Sequence, residues 1–242
     1  MNKISTKEKI FNEALDLFSD KGYNEVSIRE IAKKVGIKES SIYNHYLKKE
    51  SILDSIFDYF MRKMNETSIS QEHMEQLLTK SPRVLYNFGS EQVKYQFSNP
   101  VMIKILRLIF IELYHNQKIS DFFLKELING PILFWTMFFQ SLMDKKIIRK
   151  SDPKKLAENY YNYAMFKIFE TMVLKYPTNL NEKEIEKVFN DIEYHFNFIL
   201  SAVSIDKNIH LKISNSSKDD ISKTHCNINN RNIDYKEKKG ME

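Results

Sequence analysis

Apolar residues return at intervals of three and four along most of the chain as far as Val203, and strictly alternating runs are hard to find. The pattern predicts helices throughout and an all-α fold. Only five glycines and five prolines punctuate the 242 residues, and several of them sit where helices should begin or end. The sharpest punctuation lies between Ser27 and Tyr46. Ile28, Ile31, Ala32 and Val35 fall at i, i+3, i+4 and i+7 and share one helical face. Ser27 and Glu30 have the spacing of a capping box, in which the hydroxyl takes one unpaired backbone N–H and the carboxylate another. Gly36 stops that helix where left-handed backbone is cheapest. Ile42 and Tyr46, one turn apart, point inward from a second helix, so Ser40 and Asn44 centre its outer face, with Ser41 and Tyr43 beside them.

A first helix from Ser5 to Lys21 carries two adjoining stripes, Ile10, Ala14 and Leu17 next to Phe11, Leu15 and Phe18. Ser5 and Glu8 form its capping box and Gly22 its stop. The helix at 49–64 turns Ile52, Leu53, Ile56, Phe57 and Phe60 inward and runs from the two short helices into the rest of the chain, which makes it a natural lever. Residues 67–81 are polar and predict a short helix with a loop. Ser81-Pro82, Asn99-Pro100 and Asp152-Pro153 each place a capping residue before a proline at the first helical position. Helices are expected at 82–97, 100–115, 121–128, 131–144, 153–175 and 182–203. The last two carry apolar residues on two faces, and a helix with two apolar faces needs two partners. A second copy of the chain would supply the missing one, so a four-helix homodimer interface is expected from 153–175 and 182–203. Beyond Ser204 the composition turns to Asn, Ser, Lys and Asp, too polar to offset its chain entropy by burial. The expected division is 1–48, 49–203 and a disordered tail at 204–242.

Composition changes this picture little. A hydrophobic share of 42% and an aromatic share of 13% suit a folded globule. The net charge of +5 is compatible with nucleic acid and does not establish it. A lone cysteine, Cys226, excludes an intrachain disulfide and suits a reducing compartment. Residues 2–9 are polar, unlike a secretory leader, and the apolar run at 131–143 is too short to span a bilayer. A cytoplasmic protein without a membrane partner is expected.

A second helix with a small, polar and aromatic outer face edged by cations suits the major groove of DNA. From Lys7 to Ile56 the chain presents Phe18, Gly22-Tyr23, Val26-Ser27, Ile31-Ala32, Gly36-Ile37, Ile42-Tyr43, His45-Tyr46 and Lys49-Glu50. In these residues it resembles the tetracycline-repressor family of bacterial transcription regulators. The resemblance implies an N-terminal three-helix helix-turn-helix DNA-binding domain followed by a helical effector-binding and dimerisation domain. It also implies a homodimeric repressor, released from a palindromic double-stranded DNA operator by a small molecule, and it assigns Tyr43 and Lys49 to phosphate. Ser27, Arg29 and Lys38 are further donors around that face. Ser40, Ser41, Asn44 and His45 are candidates for base edges, and Asn44 suits adenine. Glu39 would repel a nearby phosphate, so it either accepts from a cytosine amino group or stands aside.

The middle helices are rich in aromatic residues, most of which such stripes bury in a core. Phe88, Phe110, Tyr114, Trp135, Phe139 and Tyr163 are the candidates to line a pocket for an apolar or aromatic effector. Two other readings compete. One is a DNA-binding protein of the same fold without an effector, in an architectural or cell-division role. The other is a helical-bundle metalloenzyme built on the Glu-x-x-His pair of Glu112 and His115. That pair has no second copy, and no phosphate loop, nucleophile elbow or paired-cysteine motif accompanies it. A non-enzyme without metal or cofactor is therefore expected.

Overall fold

The computed structural model describes residues 4–66, 71–175 and 182–205, so the tail expected at 204–242 lies outside the described residues from 206 onward. The elements are α1 (Thr6–Lys21), α2 (Ile28–Val35), α3 (Glu39–Tyr43), α4 (Lys49–Glu66), α5 (Gln71–Lys80), α6 (Pro82–Phe97), α7 (Pro100–Glu112), α8 (Gln117–Phe122), α9 (Gly130–Asp144), α10 (Pro153–Phe169) and α11 (Glu182–Val203). Two π-wound segments, Phe123–Asn129 and Glu170–Leu174, continue α8 into α9 and extend α10. Among the described residues no strand forms; Ile148 and Ser204 make a single antiparallel bridge just beyond the ends of α9 and α11.

The capping side chains accept as their spacing predicts, although the Ser5–Glu8 box makes only its hydroxyl half. Glu8 N–H donates to Ser5 Oγ at 3.2 Å, and Val84 N–H to Ser81 Oγ at 3.2 Å. Val101 N–H donates to Asn99 Oδ1 at 3.0 Å, and Asp152 Oδ1 takes the N–H groups of Lys154 and Lys155. In each proline-led helix the ring occupies a first-turn position whose N–H would have had no partner.

α1, α2 and α3 close over Ile10, Ala14, Phe18, Ile31 and Ile42, all fully buried or nearly so. α4 packs against α1, α6 and α7, as a lever should, but α1 lies along α7 more extensively than along α4. The stacked rings of Phe57 and Phe122, 4.5 Å apart, tie α4 to α8. Farther from α1–α3, α9, α10 and α11 pack side by side around an aromatic core. Phe196 stacks on Tyr86 at 4.0 Å, and Trp135 meets Tyr160 edge-on at 4.4 Å.

The separate helices expected at 121–128 and 131–144 form one continuous stretch, Gln117–Asp144. Asn116 caps it, accepting from Ile119 N–H. Pro131 does not break it. A proline offers no N–H to the carbonyl one turn back, here that of Leu127, and the Tyr161 hydroxyl of α10 donates to that oxygen at 2.5 Å. The widened π winding just before the proline, closed by Gly130 N–H on Lys125 O, takes up the ring. At 28 residues the stretch is long and apolar enough to cross a bilayer, unlike the 131–143 run taken alone. Here it packs along α10 and buries Phe138, Phe139 and Leu142, while Leu124, Leu133 and Met137 face outward. The start of the expected tail is also ordered, since Ile205 N–H reaches Ile147 O.

Replacing Tyr161 with Phe should leave Leu127 O without this donor and cost about 1 to 3 kcal/mol, read from the urea midpoint of the full chain.

Candidate nucleic-acid interface

The interface is assembled from backbone upward. Ser27 Oγ accepts from Glu30 N–H at 3.2 Å, which supplies one half of the expected capping box. The other half is not made. Glu30 Oε1 instead takes the Lys21 ammonium at 2.5 Å, and that bond holds the Glu30 carboxyl below its ordinary range and Lys21 above its own. The pair joins the end of α1 to the start of α2 in water, where such a contact adds little stability. Gly36 adopts φ 77° and ψ 34°, and the N–H groups of Gly36 and Ile37 both turn back to Ala32 O. This left-handed stop redirects the chain into α3 within two residues.

α3 is one short helix of five residues, anchored by Ile42 and by Tyr46 just beyond it, both buried. Asn44 and His45 were expected within this helix; they lie in the turn after Tyr43. Ser40, Tyr43, Asn44 and His45 are exposed together, and Ser41 is half-buried. Arg29, Lys33, Lys34, Lys38 and Lys48 are exposed around them. Glu39, also exposed, opens the first turn of α3, where a negative charge suits the helix dipole. Leu47, 86% exposed, was not among the expected contacts. It follows the inward Tyr46 and so falls off the buried stripe, which is the signal that periodicity offered.

Lys49 departs from its assigned role. Its ammonium donates to Tyr23 O at 2.9 Å and Val26 O at 3.0 Å and sits 4.2 Å from the centre of the Tyr23 ring. Desolvation lowers the Lys49 pKa, with Glu112 opposing that shift, and burial raises that of Tyr23. Lys49 thus fastens the α1–α2 turn to the start of α4, and Lys38, Arg29 and Tyr43 remain the open donors of the expected set. Ser27 keeps its hydroxyl proton for an acceptor while its oxygen caps α2.

A three-helix unit with a glycine stop, a short third helix whose polar face is open and a ring of cations beside it is a helix-turn-helix DNA-binding unit. Residues 10–56 match the family described as bacterial regulatory proteins, tetR family. It is similar to the biofilm operon icaADBC HTH-type negative transcriptional regulator IcaR of Staphylococcus epidermidis, 42% identical over 59 residues, 23% of this chain and 32% of that protein. The regulator of the same name in Staphylococcus aureus is 38% identical over 80 residues, 30% of this chain and 43% of its own length. The chain thus spans well under half the length of the curated relatives it matches. Over the longer span, a TetR transcription regulator from Haloarcula marismortui shares the fold with a TM-score of 0.58 at 14% identity, covering 80% of this chain and 97% of that one.

The six pocket candidates do not share one site. Tyr114 is 97% exposed in the turn after α7 and cannot line an interior pocket; its position follows from α7 ending at Glu112, a turn earlier than expected. Tyr163 lies on the outer side of α10, stacked on His195 of α11 at 4.1 Å. Phe88 is half-buried beside His73. Trp135 and Phe139 belong to the aromatic core of α9. Phe110 sits between Phe123 and Phe169. Of the Glu-x-x-His pair, His115 is exposed and Glu112 is buried with one oxygen on a backbone N–H, and no acidic or histidine cluster able to hold a metal occurs among the described residues.

Two substitutions separate the open cation from the engaged one. Lys38→Ala should leave thermal stability unchanged and reduce the slope of log affinity against log salt by about 0.9, as loss of one phosphate contact does. Lys49→Met should lower stability by about 1.5 to 3 kcal/mol, measured by urea denaturation, because two backbone carbonyls lose a charged donor.

Proposed function

We propose that the chain is a cytoplasmic, homodimeric transcription repressor that binds a palindromic operator and leaves it when a small apolar or aromatic molecule occupies the helical bundle. The observation that carries this reading is the open face of α3, with Ser40, Tyr43 and Asn44 outward over a buried Ile42, inside a segment that matches the tetR family. Residues 1–48 read DNA, and 49–203 hold the effector and the partner copy. Tyr43, Lys38, Arg29 and Ser27 meet phosphate, whereas Ser40, Ser41, Asn44 and His45 face base edges. Repression, rather than activation, is favoured by the staphylococcal relatives, which are named negative transcriptional regulators.

The dimer surface follows from what the bundle leaves uncovered. Phe166 on α10 and Tyr194 and Phe198 on α11 are 57%, 75% and 61% exposed, alongside the Tyr163–His195 stack. The long stripe of α11 from Ile185 to Ile199 is used up in the chain's own core. Exposed aromatic residues on these two helices are a surface that a second copy covers through the same pair. Two α3 helices then meet successive major grooves on one side of the duplex, about 34 to 36 Å apart. An effector that favours a different spacing of the pair lowers operator affinity by about 5- to 150-fold, the usual range of such coupling.

The full chain should elute as a dimer, and duplexes selected from a random pool should carry two-fold symmetric half-sites. Phe198→Asp should dissociate the dimer and abolish tight binding while far-UV circular dichroism is retained. A monomer that binds tightly, or an asymmetric selected site, would overturn this reading.

A further inference from the structure

The turn that joins α1 to α2 is gripped from two sides by charged side chains of other helices. Glu112, the last residue of α7, is 3% exposed. Its Oε1 accepts the Tyr23 N–H at 2.8 Å, and its Oε2 is shut away from water with no hydrogen-bond partner. The carboxylate reaches the turn because residue 22 has no side chain. A Cβ on Gly22, whose φ is +89°, would stand 2.6 Å from Glu112 Oε1. Lys49, opposite in charge, holds the carbonyls of Tyr23 and Val26. The other ion pairs between the first helices and the bundle, Lys104 with Asp16 and Lys118 with Glu50 and Asp54, are solvent-exposed and constrain little.

We propose that Glu112 is a positioning residue for DNA binding, a latch that fixes the helix-turn-helix unit against α7 and through which a rearrangement of the bundle reaches that unit. This rests on the DNA-binding reading above. A buried carboxylate with one oxygen satisfied and the other dry has two tolerable states. Either it keeps the Tyr23 N–H, or it leaves for water; an intermediate slide would strand a charge with no partner, the costliest arrangement available. Contacts of this kind switch rather than stretch. The bundle has a handle on the latch two residues away. The Phe110 ring packs against Phe123 at 5.5 Å and Phe169 at 5.2 Å, and these two rings mark the points where α8 and α10 pass into π winding. Helices altered to π winding recur at functional sites. A ligand that repacks the three rings moves the last turn of α7, and with it Glu112.

The test uses the full chain, with hydrogen exchange at the Tyr23 amide and affinity for a selected duplex measured side by side. Glu112→Ala should keep its helical circular dichroism, exchange the Tyr23 amide at least about tenfold faster and bind the duplex about tenfold more weakly. Glu112→Gln, whose side-chain carbonyl still accepts from Tyr23, should remain within about threefold of the parent in both. Gly22→Ala, which crowds the carboxylate without emptying the core, should reproduce both defects of Glu112→Ala. An unchanged Tyr23 exchange rate or unchanged affinity in Glu112→Ala overturns the proposal, as does a Gln variant as impaired as the Ala variant. If the parent chain binds no duplex at all, the DNA-binding reading has failed, and the exchange measurement still decides whether the latch exists.

Discussion

The backbone between Gly22 and Val26 has to satisfy its polar groups away from the helices it connects, and the way it does so ties the α1–α2 turn to α4 and α7. A turn of this kind has N–H and C=O groups that neither α1 nor α2 can use. The Tyr23 N–H goes to Glu112 of α7, and the Tyr23 and Val26 carbonyls go to Lys49 of α4. Two helices that diverge into different parts of the bundle are thereby tied to the same four residues of chain. The charges oppose one another across the turn, so the anion and the cation each lower the cost of burying the other. α2 and α3 are cantilevered from this point, and their angle to the bundle is whatever the clamp allows.

The reading helix itself is too short to be stable alone. Five residues cannot offset the cost of helix nucleation, so α3 exists because Ile42 and Tyr46 are buried against α1 and α2. That dependence explains the division of labour along it. Ile42 and Tyr46, one turn apart, are spent on the core, and Ser40, Tyr43 and Asn44, off that stripe, are exposed. Small polar side chains suit this position because they let the backbone approach the groove, and the cations stand at the margin, on α2 and on the turns to either side.

Within the bundle, the same accounting of backbone groups explains a feature that looks irregular. Pro131 should end a helix, yet the chain continues through it because α10 supplies a phenolic donor to the orphaned carbonyl and π winding makes room for the ring. The second π segment at the end of α10 begins directly after Phe169, and Phe123 and Phe169 both lie on Phe110. Aromatic packing and altered winding therefore coincide at the helix that carries Glu112.

Local sequence determined the all-helical fold, the caps at Ser5, Ser27, Ser81, Asn99 and Asp152, the left-handed stop at Gly36, and the inward and outward faces of α1 to α4. Each of these depends on residues within a turn or two of one another, where spacing alone decides which atoms meet. Tertiary structure decided the rest. The family resemblance assigns Lys49 to phosphate, and it is occupied instead by carbonyls more than twenty positions away. Glu112 looked like half of a metal motif because His115 follows it, and it belongs to Tyr23, 89 residues earlier. Pro131 looked like a boundary until Tyr161 supplied a donor. In each case a side chain's role was set by which backbone group, distant in sequence, lacked a partner, and periodicity carries no record of that.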